Sequence, residues 1–182
     1  MMVFMVRRLD SLALLAVSII LWIALIMELA SHQHPCPLCL LQRVAFAMIG
    51  MGLMLNLRFS IRAGHYGVVI LSCLAGLAAA VRQVLLHITP GDPGFGSPVL
   101  GLHLYTWSAL IFFVLLIYCG VALMFGFKRR SFATRELTLI EKCIAISFFT
   151  VVLANLVAVL LECGLGPCTS GSFGYHWLWS RG

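Results

Sequence analysis

Five apolar stretches account for most of this chain: residues 12–29, 40–57, 66–86, 104–127 and 144–161. Each approaches or exceeds the ~20 residues that cross roughly 30 Å of hydrocarbon as a helix. Hydrocarbon offers no water to satisfy backbone N–H and C=O groups, so segments of this kind span as helices. The predicted fold class is therefore an all-α integral membrane bundle. Residues 1–182 form one membrane domain, with an outer-face tail at 162–182. Composition closes the soluble alternative, because a chain that is 62% hydrophobic and 10% charged cannot build a water-facing globular surface. The first stretch follows Arg7 and Arg8 as a secretory signal would. Its core exceeds the roughly 7–15 residues of a signal's apolar region and no small-residue cleavage site stands out, so it reads as a retained span.

The basic residues supply the orientation. Arg7, Arg8, Arg58, Arg62, Lys128, Arg129, Arg130, Arg135 and Lys142 fall on one side of the five spans, leaving Arg43, Arg82 and Arg181 on or toward the other. The positive-inside rule makes the N-terminus cytoplasmic. An odd number of spans then puts the C-terminus outside, together with the loop before the second span and the segment 87–103. The excess of 12 basic over 6 acidic side chains is thus ordered by topology. No basic patch with interleaved aromatics points to nucleic acid. Trp107, Trp177, Trp179, Tyr105 and Tyr175 fall near the outer boundaries, where aromatic rings anchor a bundle.

Four of the seven cysteines make two close pairs at the outer face, Cys36 with Cys39 and Cys163 with Cys168. If Cys39 begins a helix, Arg43 lies one turn along the same face, where it stabilises a thiolate or a docked anion. The unpaired N–H groups of the helix N-terminus act in the same direction. Behind Arg43 the charge-free run 44–57 is too short to cross alone, about 21 Å at 1.5 Å per residue, so 40–43 must help. Arg43 is thereby drawn to the outer hydrocarbon edge, the depth at which a lipid-soluble quinone places its polar ring. Two other readings of the pair stand: a structural staple, and half of a zinc site completed by His32 and His34. Apolar helix rather than a returning ligand loop follows Cys39, which favours redox chemistry over metal. In Cys163-Gly164-Leu165-Gly166-Pro167-Cys168 the glycines and proline form a turn that can bring the sulfurs within disulfide reach, as an exchanging pair or as a static clip. Cys73, Cys119 and Cys143 have no evident partner in sequence and read as small apolar residues.

With these residues in view, the chain resembles the bacterial family of disulfide bond formation protein B, DsbB, inner-membrane enzymes that reoxidise periplasmic thiol oxidases at the expense of quinone. The resemblance covers the first four spans. Its most specific element is Cys36-Pro37-Leu38-Cys39 with Arg43 four residues later. Arg82-Gln83-Val84-Leu85-Leu86-His87 and Pro90-Gly91-Asp92-Pro93-Gly94 are also similar. The resemblance implies a four-helix transmembrane bundle of DsbB type, here with a fifth C-terminal span, in the inner membrane of a bacterium. It implies a soluble, thioredoxin-like periplasmic thiol oxidase as partner and ubiquinone or menaquinone as electron acceptor. It makes Cys36 and Cys39 the quinone-proximal disulfide, with Cys39 forming the quinone-facing thiolate and Arg43 binding the quinone. Two departures stand out. The family's second cysteine pair normally sits between spans three and four, whereas 87–103 holds no cysteine, and Cys163 with Cys168 is the natural substitute. Gln42 precedes Arg43 where the best-known members have an acid, which removes one possible proton or charge partner.

The expected cycle starts with attack of a reduced partner on the Cys163–Cys168 disulfide, followed by exchange to Cys36 and Cys39 and oxidation of the Cys39 thiolate by quinone, with Arg43 stabilising the negative charge. Arg82 is a second candidate quinone contact, or else a salt bridge to Glu28 or Glu162. His87 and His103 bracket the outer loop and are candidates for proton transfer or for a purely interfacial role; Glu162 is a candidate proton relay. A different function class remains open, a metal- or haem-handling membrane subunit with Cys36, Cys39, His32, His34, His103 and His176 as ligands. A third possibility keeps the fold and delivers reducing equivalents outward, and the lack of paired intramembrane cysteines argues against it.

Overall fold

A computed structural model of the chain describes residues 2–31, 36–89, 91, 92, 94, 98–124 and 136–163. It contains five helices: α1 (Met2–Ser31), α2 (Pro37–Arg58), α3 (Ala63–Leu86), α4 (Leu104–Met124) and α5 (Leu139–Cys163). All five are long and apolar enough to cross a membrane, over Phe4–Ala30, Pro37–Arg58, Ala63–Leu86, Leu104–Met124 and Leu139–Leu161. The described residues contain no strand, only an isolated bridge between Val99 and Leu102. Between them Leu100 and Gly101 both have positive φ, 52° and 82°, the signature of a tight hairpin turn.

Four helices begin earlier than the apolar pattern suggests, and at α1 and α5 polar residues near the start find partners. Arg7 on α1 donates to both carboxylate oxygens of Glu141 on α5 at 2.7 and 2.6 Å, and to the backbone oxygen of Glu136 at 3.0 Å. Glu141 also accepts from the backbone N–H of Thr138 at 2.8 Å, while Thr138 Oγ1 accepts from the N–H of Glu141 at 3.4 Å. This reciprocal capping box starts α5 five residues before the apolar window 144–161. Asp10, fully buried on α1, accepts from the Tyr66 hydroxyl of α3 at 2.9 Å and from the Tyr118 hydroxyl of α4 at 2.6 Å. Asp10→Ala removes the buried acceptor that the two hydroxyls, 3.3 Å apart, share. Loss of such an acceptor costs roughly 1–3 kcal/mol. Thermal unfolding in detergent micelles is expected to show a larger loss for Asp10→Ala than for Tyr118→Phe; equal losses would contradict this.

The helices pack side by side in the order α4, α3, α2, α1, α5, with α5 also touching α2. Small residues set the close approaches, since apolar attraction between helices is weak in lipid and contact must come from fit. A Cβ on Gly76 of α3 would lie 2.4 Å from the Phe112 ring of α4 and 2.8 Å from Ala45 of α2. Phe112 in turn stacks on Phe46 of α2 with centroids 4.3 Å apart. A Cβ on Gly50 of α2 would lie 2.2 Å from the ring of Phe148 on α5. This notch, with the Trp22 Nε1 to Ser147 Oγ hydrogen bond of 3.2 Å, seats the fifth helix against the bundle.

Candidate redox site at the outer end of α2

Cys36 is the N-cap of α2, with extended backbone (φ −67°, ψ 152°), and its Sγ accepts from the backbone N–H of Cys39 at 3.2 Å. Pro37 follows at the first helical position, where its fixed φ suits the helix and its missing N–H leaves nothing unsatisfied. The motif thereby sets both sulfurs against the N-terminus of a membrane-crossing helix, where unpaired N–H groups favour negative charge. Cys36, just outside the span, has its thiol pushed well above the ordinary range, first by its hydrogen bond with Cys39 and then by burial.

Gln83 of α3 reaches across to this end. Its Nε2 donates to Cys36 Sγ at 3.3 Å and to Cys39 Sγ at 3.4 Å. Its Oε1 accepts from Gln42 Nε2 at 2.8 Å. An amide's orientation is decided by its partners. Oε1 also lies 3.7 Å from Cys39 Sγ, so the amide meets the sulfur pair through both its ends. Both glutamines are buried, Gln83 to 1% exposure and Gln42 to 5%. Hydrogen bonds to a charged acceptor are worth about 1.5–3 kcal/mol. Gln83→Leu is accordingly expected to slow alkylation of Cys39 in the reduced protein at neutral pH by roughly tenfold or more. An unchanged rate would show that Gln83 does not support the thiolate.

At 100° per residue, Gln42 and Arg43 fall on either side of the Cys39 direction. The second flank is an ion pair. Arg43 Nη1 donates to the Glu28 carboxylate of α1 and lies 3.4 Å from Asn155 Oδ1 of α5, and Nη2 donates to the Ala24 carbonyl at 3.1 Å. The side chains are 13% exposed for Arg43 and 3% for Glu28. Asn155 Nδ2 donates to the Val151 carbonyl at 2.8 Å, which leaves its Oδ1 for Arg43. Glu28 Oε1 is buried without a hydrogen-bond partner among the described residues. Three helices thus converge on one guanidinium.

The other candidates lie elsewhere. Arg82 is exposed on α3, and the expected bridge to Glu28 is corrected: the Glu28 carboxylate belongs to Arg43, because Arg82 lies on the outward face of α3 next to the buried Gln83. His87 Nδ1 lies 3.1 Å from Asp92 Oδ1, and Asp92 also accepts from the Gly94 N–H at 2.8 Å. The Gly94 N–H, and His87 after it, hold the Asp92 carboxyl below its usual range. Both His87 and His103 stack on Tyr105, with centroids 5.8 and 5.2 Å apart, so their contacts are with the outer loop and the start of α4. Cys163 closes α5. Its side chain, that of Glu162, and Cys168, His32, His34 and His176 lie outside the described residues. Among the described residues no three His, Cys, Asp or Glu side chains gather as a metal site. Cys73 and Cys119 are buried and Cys143 is exposed.

Gln83 entered the sequence reading only within a longer similar stretch, and Asn155 not at all. Their signal was a polar side chain inside an apolar run, which in a membrane is a functional candidate by default.

The family model described as Disulfide bond formation protein DsbB matches residues 6–97. A disulfide bond formation protein B of Cupriavidus necator is 30% identical over 133 aligned positions, taking in 56% of this chain and 83% of the relative. The protein of the same name from Cupriavidus metallidurans is 40% identical over 68 positions, 37% of this chain and 42% of the relative. That from Pseudomonas syringae pv. tomato is 38% identical over 72 positions, 38% of this chain and 43% of the relative. No solved structure matches.

Proposed function

The chain belongs to the family of disulfide bond formation protein DsbB, and from that premise we propose that this multi-pass membrane protein is a thiol:quinone oxidoreductase acting through Cys36 and Cys39. The observation that carries the proposal is the placement of Cys39 at a helix N-terminus, in contact with the Gln83 amide and one helical turn before the buried Arg43. A quinone would fit this end of α2 through its carbonyl oxygens, which accept hydrogen bonds: Arg43, one helical turn beyond Cys39, is a donor at that depth. Bound there, the quinone supplies a sink for two electrons and two protons.

The chain's residues divide the remaining work. Cys36 keeps its proton and Cys39 carries the negative charge, so Cys39 is the nucleophile toward the acceptor. Cys36 then closes the disulfide on Cys39. Gln83 and Arg43 are in place before charge develops, which is where preorganised donors act most strongly. Arg82 and His87 remain candidate contacts for the ring at the membrane surface.

The donor side is assigned to Cys163 and Cys168, which accept electrons from a thioredoxin-like periplasmic partner. Support comes from α5. Asn155 lies against Arg43, so the two helices are neighbours at that depth. Cys163 lies eight residues beyond Asn155 and Cys36 seven before Arg43, about 12 and 10 Å along their axes and toward the same end. The N-terminus is placed in the cytoplasm and the C-terminus in the periplasm on the charge pattern.

An anaerobic assay tests the function. Reduced thioredoxin-fold oxidase is mixed with purified protein and ubiquinone, and the quinone's absorbance is followed. Decay is expected in wild type and in Cys143→Ser, and none above background in Cys39→Ser. Quinone untouched by wild type would overturn the proposal.

A further inference from the structure

Arg43 is one cation facing two anions. The Glu28 carboxylate pairs with it from α1, and Cys39 lies one helical turn before it on the same face of α2. No other charged group among the described residues joins them: Asn155 from α5 and Gln42 and Gln83 on the α3 side are neutral, and Arg82 is exposed on α3. With both anions ionised, this buried end of the bundle would hold a net negative charge at an ion-excluding depth. That state is costly in a low dielectric, and the inexpensive response is for one anion to take up a proton. Glu28 Oε1 can receive it, being buried beside the ion pair with no hydrogen-bond partner among the described residues.

We propose that Glu28 is the proton-exchanging residue of the thiol site, taking a proton on Oε1 when Cys39 ionises and releasing it when the thiolate is consumed. The inference rests on the reading of Cys39 as the reactive thiolate. In the first step Cys39–SH and Glu28–COO⁻ become Cys39–S⁻ and Glu28–COOH, directly or through a water. The number of protons is unchanged and Arg43 exchanges one counter-anion for the other. When the disulfide forms, Cys36 gives up its thiol proton and Glu28 its carboxyl proton. Two protons therefore leave with two electrons, the stoichiometry a quinone acceptor takes up, and Glu28 is left ionised opposite Arg43. The charge at the site is the same before and after.

Such an exchange has a signature separate from turnover. Within the singly protonated pair, the fraction carrying the proton on Glu28 does not depend on pH. The alkylation rate of Cys39, measured in a Cys36→Ser background without quinone or partner, is expected to be nearly flat across the neutral range. Adding Glu28→Gln is expected to convert it to the simple titration of one thiol, rising about tenfold per pH unit below its midpoint. Infrared difference spectra of the otherwise wild-type protein, chemically reduced minus oxidised, are expected to gain a protonated-carboxyl band that Glu28→Gln lacks. This second readout needs no variant to fold in order to be informative. A reduced-minus-oxidised spectrum without that band, or a tenfold-per-unit profile with Glu28 present, would overturn the inference. Because neither measurement contains quinone, a protein that reduces quinone yet shows no carboxyl band loses only the inference. One that shows the band yet reduces no quinone loses only the proposed function.

Discussion

Arg43→Met is expected to be destabilising and nearly inactive at once. The substitution keeps the length of the side chain and removes the cation, leaving the Glu28 carboxylate, 3% exposed, without its partner. Breaking a buried pair from one side costs up to about 3–5 kcal/mol. The same change withdraws preorganised positive charge from Cys39 and from the acceptor, a loss of order 10²–10³ in turnover. The two effects separate in a double variant. Adding Glu28→Gln removes the orphaned carboxylate, so thermal stability in micelles is expected to recover most of the loss while the anaerobic quinone-reduction rate stays low. Recovery of the rate together with stability would mean that Arg43 matters only for packing.

Cys39→Ser is expected to reduce turnover to background with any thiol donor, because no second sulfur occupies its place between Gln83 and Arg43. Substituting the C-terminal pair should behave differently. If Cys163 and Cys168 pass electrons from a protein partner to Cys36 and Cys39, Cys163→Ser blocks turnover with that partner. A small dithiol that reaches Cys36 and Cys39 directly still supports it. Turnover with the protein partner undiminished in Cys163→Ser would make the C-terminal pair a clip, and the partner would then have to engage the first pair itself.

The five spans were legible because each is a contiguous apolar run, a signal that needs no knowledge of what it packs against. The starts of α1 and α5 were not. Arg7 and Asp10 look like residues outside the membrane until Glu141, Tyr66 and Tyr118 are brought to them across 134, 56 and 108 positions of sequence. The same division holds at the site. Cys36, Cys39 and Arg43 were visible because helix geometry relates positions three and four apart. The groups that define their surroundings come from other helices: Gln83 lies 44 positions from Cys39, and Asn155 lies 112 from Arg43. Glu28 was in view only as one of two alternative partners for Arg82, and the structure pairs it with Arg43. Arg82 and Arg43 are equally plausible partners for it on hydropathy alone, and only the packing of α1 against α2 decides between them. Gln42, neutral where the best-known members have an acid, donates to Gln83, the residue that contacts both sulfurs, and this partner was not visible in sequence.

The central claim is that electrons leave this protein's thiols for a quinone through Cys39, and a thiol count tests it most directly. Protein reduced and purified without oxygen is alkylated before and after addition of a soluble quinone, and the labelled cysteines are assigned by mass spectrometry in wild type and Cys39→Ser. Loss of Cys36, Cys39, Cys163 and Cys168 as free thiols in wild type, with Cys163 and Cys168 staying reduced in Cys39→Ser, is the expected result. Cys36 and Cys39 still fully alkylatable after quinone addition to the wild type would contradict it.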